Sequence, residues 1–453
     1  MHKTAVINVV GLTSKLLARL PSIQRLGRAI TIGHILPAVT CSVQATYLTG
    51  TTPSEHGIVG NGWYFRDECE VRFWHQSDKL VQQPRVWDLA KQRDPSFTCA
   101  NLFWWNAMYS SADVTVTPRP VYTADGRKLP DVWTNPPQFR HELQRKLGQF
   151  PLFKFWGPAS SIESSQWIAR AAIEVGEQFD PTLMLIYLPH LDYALQRRGP
   201  DDPGNLKDLA DLDGVMSDLL NRLKERRIIV LSEYGIARVD RPVHLNRVLR
   251  ERGWLATIDD QQGRELLDAG SSSAFAIADH QVAHVYLNEP NKLEAVAQAM
   301  RSTPGVAEVL NRSAQREAGL DHPRSGEIIA VAEPGAWFTY YYWLDDSRAP
   351  DFARTVDIHR KPGYDPVELF IDPKLPAARQ RIAWKLLRRH MGFRTLLDVI
   401  PLDATLVRGS HGRRPASLED GPVLISTEPR LLNSDRLLAT QIRDLILQHL
   451  LAD

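Results

Sequence analysis

The segment from residue 37 to residue 64, PAVTCSVQATYLTGTTPSEHGIVGNGWY, is the richest part of the chain in residues suited to covalent chemistry. Thr40 lies where a loop punctuated by Pro37 is expected to enter a short helix that ends near Gly50. The free N–H groups and the dipole at a helix N-terminus favour an anion there. A threonine hydroxyl is a weak nucleophile until a metal or a base removes its proton. Taken alone, a threonine at this position is more commonly a helix cap.

Other polar residues that could bind a metal follow apolar runs typical of buried strands. Asp192 follows TLMLIYLP at residues 182–189, and Glu233 lies near the end of RRIIVLSEYG at residues 226–235. Ligands of doubly wound sheets bind at the carboxyl ends of the strands. Asp192 and Glu233 are therefore expected at the same edge of one sheet. His411 lies in a later segment, LVRGSHGRRP.

The 37–64 segment resembles the nucleophile loop of the alkaline phosphatase superfamily, in the branch of nucleotide pyrophosphatases/phosphodiesterases and phosphonoacetate hydrolases. The resemblance implies that Thr40 is the nucleophile and a metal ligand, and that Asn61 helps to hold a non-bridging oxygen of the substrate. The agreement covers nine positions between residues 37 and 61 without a gap. These positions are Pro37, Thr40, Thr49, Gly50, Pro53, His56, Gly57, Ile58 and Asn61.

The motifs that supply metal ligands in that family are only partly retained. Asp192 and the closing histidine, His411, match their positions unchanged. A histidine is expected four residues after the aspartate, but Gln196 stands there. The family pattern Ser-Asp-His-Gly reads Ser-Glu-Tyr-Gly here, which puts Glu233 and Tyr234 at ligand positions.

The first strand departs further from the family. Its aspartate before glycine is replaced by Val10 before Gly11. Asn8 lies two residues earlier, on the same side of the strand, and carries no charge. The altered set is rich in oxygen donors. The resemblance implies one or more divalent metal ions, and Mn, Fe, Mg or Ca would suit this donor set better than Zn.

Two further segments hold residues that could compensate for the missing ligands. ADHQVAHVYL at residues 278–287 brings Asp279 and His280 together. VDIHRKPGYDPVELF at residues 356–370 contains His359, Arg360 and Lys361, and either basic residue could neutralise phosphate charge. The KPGYDP core of that segment can equally be a plain turn.

Aromatic residues are dense at residues 101–110, NLFWWNAMYS. Aromatic side chains usually belong to the core. In phosphodiesterases of the branch that this chain resembles, however, aromatic side chains flank a bound nucleobase. Both interpretations stay open for Trp104, Trp105 and Tyr109.

The elements that must position these residues indicate an α/β fold with a doubly wound, mostly parallel sheet and a smaller inserted α+β subdomain. The run AVINVVGL and the two runs before Asp192 and Glu233 predict parallel strands, with a helix at residues 205–226 between the last two. We expect a first core part at residues 1–245, an inserted part at 246–400, and a return to the core at 401–453. The inserted part is expected to end in a strand pair at 327–343. The final helix is expected to place Leu438 on its apolar face.

The amino-acid composition limits the classes of partner that the protein is expected to bind. The chain has 453 residues, a net charge of +1 and a pI near 7.8, which favour neither nucleic acid nor an anionic membrane as a partner. The local basic cluster Arg388-Arg389-His390 is interpreted as a solvated face interrupted by acidic neighbours. We expect no membrane segment, no signal peptide and free thiols at the three cysteines, and hence a cytoplasmic protein. The oligomeric state stays open.

The function predicted from these observations is a metal-dependent hydrolase of small-molecule phosphoesters, with a phosphodiester or a pyrophosphate favoured. The alternative is a binding or scaffold protein that keeps the fold and has lost the chemistry. The changed ligand positions favour the alternative, and the retained Thr40 and Asn61 favour the enzyme.

Overall fold

The protein is described by a computed structural model that covers residues 1–124 and 127–452. Within these residues the strands run in chain order as follows: β1 Thr4–Val9, β2 Ile30–Ile32, β3 Gly62–Phe65, β4 Glu70–Phe73, β5 Cys99–Leu102, β6 Val114–Pro118, β7 Val121–Tyr122, β8 Lys128–Leu129, β9 Val132–Asn135, β10 Leu183–Leu188, β11 Arg227–Leu231, β12 Ala237–Val243, β13 Ala256–Asp259, β14 Glu265–Asp268, β15 Ala274–Asp279, β16 Val282–Leu287, β17 Val306–Leu310, β18 Ile328–Ala332, β19 Gly335–Phe338, β20 Gly409–Ser410, β21 Val423–Ser426 and β22 Arg436–Leu437.

The α-helices of the same residues are α1 Ser14–Leu17, α2 Pro21–Gln24, α3 Thr40–Thr49, α4 Pro53–His56, α5 Val86–Arg93, α6 Phe139–Leu147, α7 Leu152–Phe155, α8 Ile162–Phe179, α9 His190–Arg198, α10 Asn205–Arg222, α11 Leu245–Glu251, α12 Leu293–Arg301, α13 Arg312–Glu317, α14 Ala378–His390 and α15 Ile442–Leu451. Among the described residues, no helix combines the length and the apolar character that a membrane span requires.

A large sheet forms the centre of the molecule, with the strand order β22-β2-β21-β11-β1-β10-β5-β6-β9. The five strands from β11 to β6 pair in parallel, and β21 and β9 add antiparallel neighbours on the two sides. All residues of β1 and β10 are buried, which explains why these strands read as continuous apolar runs. The α/β class and the mostly parallel sheet predicted from the sequence are confirmed.

A smaller antiparallel sheet, β15-β16-β18-β17, lies in the part of the chain between residues 274 and 332. A three-stranded sheet, β19-β12-β20, joins distant parts of the chain. The prediction that residues 327–343 form a pair of strands is wrong, because the two strands in this segment do not pair with each other. Strand β18 belongs to the small sheet, whereas β19 pairs with β12. The apolar sequence predicts the two strands, but their partners come from elsewhere in the chain.

The apolar interior consists of two main clusters. One surrounds the large sheet, and the other surrounds the small sheet and reaches Cys41 and Ala45 of α3. Val43 and Tyr47 of the same helix belong to the first cluster. Every residue of α3 is buried. The helix that begins with Thr40 is therefore held from both sides.

The C-terminal helix begins later than the apolar pattern indicates. It starts at Ile442, after strand β22 and one 3-10 turn, and Leu438 is 56% exposed. Leu438 therefore does not belong to the packed face. Ile442, Leu445, Ile446 and Leu450 are buried on that face as expected.

Candidate active site

Thr40 occupies the first position of α3, directly after the extended residue Val39. The N-cap of the helix is Val39 rather than Thr40, and no side chain forms a capping hydrogen bond. The hydroxyl groups of Thr40 and Tyr234 are 3.0 Å apart. Gly50 ends the helix in the left-handed conformation, so the helix begins and ends where the sequence predicts. Thr40 thus presents its hydroxyl at a helix N-terminus.

Asp192 and His411 approach each other from different elements. Asp192 lies in the first turn of α9, directly after β10, and His411 follows β20. The His411 Nδ1–H donates to the Ala38 carbonyl at 2.7 Å, which leaves Nε2 as a free lone pair. This Nε2 is 3.9 Å from Asp192 Oδ1, and that carboxylate oxygen has no hydrogen-bond partner among the described residues.

Gln196 lies one helical turn after Asp192 and is engaged through both ends of its amide. Its Nε2 donates to Asp192 Oδ2 at 2.7 Å, and its Oε1 accepts from the Tyr364 hydroxyl at 3.2 Å. In this structure Gln196 therefore orients Asp192, and both of its polar atoms already have partners.

Glu233 lies two residues after the end of β11, fully enclosed by the protein. Its Oε1 accepts hydrogen bonds from Asn8 Nδ2 at 2.6 Å and from the side-chain amide of Gln44. The other oxygen, Oε2, has no partner among the described residues. Asn8, which stands near the position of the missing aspartate, thus points into the site from β1. It binds the carboxylate that replaces a family ligand.

Asn61 fixes the start of α3 and is itself fixed by the small sheet. Its Oδ1 accepts the Cys41 N–H at 3.0 Å. Its Nδ2 and its backbone N–H donate to the two oxygens of Asp279, at 3.0 and 2.8 Å. Asp279 ends β15, so this carboxylate links the smaller sheet to the segment at residues 37–64.

Four aromatic rings stack behind Thr40. Tyr234 lies over His411 with ring centres 3.5 Å apart and planes 8° apart. His280 follows at 3.6 Å from His411, and Tyr364 at 3.7 Å from His280. His280 occupies the tight turn between β15 and β16 with φ of 62°, and its Nδ1 has no described partner. The stack sets the orientation of the His411 ring.

The carboxyl groups of the site are buried without a neighbouring cation. Burial raises the pKa of Glu233 to about 8 and the pKa of Asp192 to about 7. Burial likewise raises the pKa of Asp279 to about 7, against the lowering effect of the two Asn61 bonds. Burial lowers the pKa of His411 to about 3, so its ring is neutral. Among the described residues, no lysine or arginine pairs with these carboxyls. A positive charge supplied from outside would stabilise the site.

A cavity of about 1330 Å³ leads from Thr40 to the surface. Asp192, Tyr234 and His280 line its inner end together with Thr40, whereas Glu233, Asn61 and His411 lie behind this wall. Farther out the walls are mostly aromatic and aliphatic. They include Trp74, Trp105, Tyr122, Trp156, Tyr193 and Tyr364.

The donor set fits one metal ion and does not fit two. Asp192 Oδ1 and Glu233 Oε2 are buried oxygens without partners, and His411 Nε2 offers a free lone pair beside Asp192. Such atoms suit a cation with oxygen and imidazole ligands. Within residues 1–124 and 127–452, however, no three His, Cys, Asp or Glu side chains already converge in the manner of a formed metal site. Asn8, Gln196 and Val10 add no charge to build a second site.

Three residues proposed from the 356–370 segment lie apart from Thr40. Lys361 is buried and pairs with Asp365 at 2.6 Å and Glu368 at 2.8 Å. Its charge is already neutralised by these two carboxylates, which argues against the hypothesis that Lys361 neutralises phosphate. Arg360 is 63% exposed, and its Nε lies 4.0 Å from Asp357 Oδ2. His359 lines the outer part of the cavity and donates to the Phe73 carbonyl.

The aromatic segment at 101–110 divides between core and cavity. Trp104 is fully buried in the core of the large sheet. Trp105 lines the cavity, and its ring centre lies 4.8 Å from that of Trp74 with the two planes tilted by 45°. Tyr109 is 56% exposed and contacts Trp133. Only Trp105 of the three is placed to touch a ligand in the cavity.

Three residues of the site were not singled out from the sequence. Gln44 binds Glu233, Tyr187 lines the cavity, and Tyr364 connects Gln196 with His280. The helical spacing of Gln44, four residues after Thr40, was a signal that could have found it. No local pattern marks the two tyrosines.

Comparisons with known proteins agree with this geometry. The sequence profile of the family described as type I phosphodiesterase / nucleotide pyrophosphatase matches residues 4–365. An uncharacterized pyrophosphatase/phosphodiesterase of Schizosaccharomyces pombe is 23% identical over 219 residues, which are 47% of this chain and 38% of that protein. The match thus spans less than half the length of that relative.

Solved structures share the fold at low identity. Phosphonoacetate hydrolase of Sinorhizobium meliloti, in complex with phosphonoformate, has a TM-score of 0.62 at 15% identity, with 100% of this chain and 96% of that chain covered. Human ectonucleotide pyrophosphatase / phosphodiesterase 5 has a TM-score of 0.59 at 14% identity, with 99% and 94% covered. The profile match covers well over half of the chain. The chain therefore belongs to the type I phosphodiesterase / nucleotide pyrophosphatase family.

Proposed function

We propose that this protein hydrolyses phosphoester bonds of small molecules, with phosphodiesters and pyrophosphates favoured, through Thr40 as nucleophile. The observation that carries the proposal is the position of Thr40. Its hydroxyl lies at the N-terminus of α3, at the inner end of the cavity, beside a cluster of buried carboxyls. This arrangement binds a phosphoryl group and supplies a hydroxyl to attack it.

One divalent ion would be held by Asp192 and His411, with Glu233 and the hydroxyl of Tyr234 as further donors. Support comes from the unpartnered oxygens of Asp192 and Glu233 and from the free Nε2 of His411. When bound, the ion would polarise a phosphoryl oxygen and lower the pKa of a coordinated hydroxyl. The oxygen-rich set favours Mn, Fe, Mg or Ca over Zn.

The protein's own groups define the first step of the reaction. Thr40 Oγ1 forms the new bond to phosphorus and the ester oxygen of the leaving group departs, which leaves a phosphothreonine. Glu233, whose Oε2 has no partner among the described residues, takes up the Thr40 proton in its ionised form. Water then attacks phosphorus, and Thr40 Oγ1 departs as its bond to phosphorus breaks and regains its proton from Glu233. Tyr234 orients the Thr40 hydroxyl throughout.

Asn61 positions the nucleophile by holding the N-terminus of α3. One amide N–H of Asn61 donates to Asp279, and the second is the group that would bind a non-bridging oxygen of the substrate. The aromatic walls around Trp74 and Trp105 suit a leaving group with a planar or apolar part.

The decisive experiment compares hydrolysis of a chromogenic phosphodiester and a chromogenic monoester by the wild type, Thr40→Ala and Thr40→Ser, with Zn, Mn, Fe, Mg or Ca added singly. Activity should require one metal, vanish in Thr40→Ala and survive partly in Thr40→Ser. Ser42→Ala is the matched control, because Ser42 lies in the same helix, is buried and has no described partner.

The competing function is a binding or scaffold protein. Wild type and Thr40→Ala would then be equally inert with every metal, and both would purify without metal. That joint result would replace the hydrolase with the scaffold.

A further inference from the structure

Apolar side chains are exposed along residues 378–397, which comprise α14 and the turn after it. We call this stretch the 378–397 segment. Trp384, Leu387, Met391 and Phe393 are 57%, 48%, 52% and 57% exposed. Half-exposed side chains of this size are unusual on a protein surface when they occur together. They indicate a surface that is covered by something else when the protein works.

The same segment carries concentrated positive charge. Between residues 378 and 397 the sequence contains Arg379, Arg381, Lys385, Arg388, Arg389, His390 and Arg394 and no Asp or Glu. The expectation that acidic neighbours interrupt this basic cluster is therefore wrong within the segment. Asp398, the first acidic residue after it, pairs with Lys385 and lies 3.8 Å from Arg381. The chain's net charge of +1 conceals this local excess.

Helix α14 separates its side chains into three stripes. Ile382 and Leu386, four residues apart, line the cavity that leads to Thr40. The basic residues Arg381, Lys385 and Arg388 recur at helical spacing on a second stripe. Trp384, Leu387 and Met391 form the third stripe, which faces away from the core clusters. A helix with an outward apolar stripe beside a basic stripe has the composition of an interfacial helix.

Charge complementarity decides which occupant fits. A second copy of the chain would bring one basic segment against another and would be repelled. An anionic lipid surface offers phosphate and carboxylate groups for the arginines and an apolar layer for Trp384, Leu387 and Phe393. We propose that the 378–397 segment binds the surface of an anionic lipid bilayer, with its apolar stripe inserted at the boundary between headgroups and acyl chains.

The proposed contact also concerns the cavity. Leu396 and Leu397, at the end of the segment, line the cavity together with Ile382 and Leu386. A bilayer bound to the segment would therefore lie next to the apolar end of the cavity that reaches Thr40. Binding itself needs no catalysis, so the proposal can be tested apart from the proposed hydrolase.

The test is co-sedimentation of the purified full chain with vesicles of phosphatidylserine and phosphatidylcholine, and with vesicles of phosphatidylcholine alone. The wild type should bind the anionic vesicles, and added salt should weaken that binding. Arg379→Glu/Arg388→Glu should lower the partition onto anionic vesicles by at least about tenfold, because each basic residue near such a surface contributes roughly a fivefold factor. Trp384→Ser/Leu387→Ser should lower it comparably.

Matched controls carry the same changes on other exposed surfaces. Arg19→Glu/Arg93→Glu reverses two exposed arginines, and Leu206→Ser/Ile258→Ser removes two apolar side chains that are 51% and 57% exposed. Both controls should bind as the wild type does, and so should Thr40→Ala. The segment variants and the two surface controls should unfold at the wild-type midpoint, since each of their replaced side chains is exposed.

The proposal is overturned if the wild type does not bind anionic vesicles, or if the segment variants bind them as well as the controls do. It is also overturned if light scattering shows a wild-type dimer that Trp384→Ser/Leu387→Ser converts to a monomer. The segment would then be an interface between two copies. Loss of hydrolysis with retained vesicle binding would refute the proposed function alone.

Discussion

The buried carboxyl of Glu233 depends on two uncharged donors. Asn8 and Gln44 both bind its Oε1, and neither carries a charge that would neutralise it. The pKa of Glu233 therefore stays raised, at about 8, because burial outweighs the two hydrogen bonds. Gln44 also accepts the backbone N–H of Trp105 at 2.7 Å. The Gln44 side chain thus connects helix α3, the Glu233 carboxylate and the cavity wall at Trp105.

Replacing Gln44 by leucine should impair the site without unfolding the protein. Glu233 would lose a donor, its pKa would rise further, and its oxygens would no longer be held in place. Removing a partner of a ligating carboxylate lowers activity or metal affinity by about 10- to 100-fold. Titration of metal into each variant, with turnover measured in parallel, checks this. A Gln44→Leu variant that behaves as Ser42→Ala does would contradict a positioning role for Gln44.

At the scale of elements, a close approach of backbones brings the proposed ligands together. Strand β20 precedes His411, and helix α9 carries Asp192. They touch at Gly409, where an added Cβ would lie 2.2 Å from the Leu195 carbonyl oxygen. No real Cβ fits at that distance, so only glycine lets β20 pack against α9. The separation of His411 from Asp192 therefore depends on Gly409.

Gly409→Ala should destabilise the protein by roughly 1–3 kcal/mol, because the strand or the helix must shift to admit the methyl group. The same shift should weaken metal binding, since it moves His411 away from Asp192. Gly214→Ala is the matched control: this glycine lies inside α10 with nothing within 4 Å of its would-be Cβ. Alanine there should stabilise the protein by about 0.5–1 kcal/mol. Denaturant unfolding of both variants measures the difference, and equal effects would refute the packing argument.

At the scale of the whole molecule, several buried histidines stay neutral in the fold. Burial lowers the pKa of His56 to about 3, of His284 to about 4 and of His411 to about 3. His56 is held in its neutral form by two bonds. The Ile58 N–H donates to Nδ1 at 3.1 Å, and Nε2 lies 3.0 Å from the Thr46 hydroxyl. Protonation of His56 Nδ1 would break its hydrogen bond with the Ile58 N–H.

Acid should therefore remove the stabilising contribution of these histidines, whereas the raised pKa values of Glu233, Asp192 and Asp279 act in the opposite direction. These histidines gain protons near pH 6.5 in the unfolded chain but only near pH 3 to 4 in the folded one. Their contribution to stability is complete above pH 6.5 and is lost as the pH falls toward the folded pKa. His56 alone should lower the free energy of unfolding by about 1.4 kcal/mol per pH unit in that window.

Denaturant unfolding of His56→Gln between pH 7 and pH 4 tests this at a single position. The variant should have a lower free energy of unfolding at neutral pH, because the two hydrogen bonds of His56 are altered. That free energy should fall less steeply than in the wild type as the pH is lowered. His141→Gln replaces an exposed histidine and should keep the wild-type slope. Parallel slopes for all three proteins would show that His56 does not contribute to acid unfolding.

The class of fold and the local structure around Thr40 could be predicted from the amino-acid sequence alone. Continuous apolar runs predict buried parallel strands because both faces of such strands are covered, and β1, β10 and β11 confirm this. The placement of Thr40 at the start of a helix ended by Gly50 is also local, since helix ends depend on neighbouring residues. The proposed roles of Thr40 and Asn61 as nucleophile and substrate-binding residue stay predictions.

Only the tertiary structure decided which polar groups are already engaged. Lys361 is adjacent in sequence to His359 and Arg360, yet Asp365 and Glu368 neutralise it in a buried cluster. Asn8 and Gln44 meet Glu233 from more than 180 residues away, and Tyr364 reaches Gln196 over 168 residues. The physical reason is that hydrogen bonding and burial depend on distance in space, whereas a sequence pattern records only neighbours along the chain or at one helical or strand period.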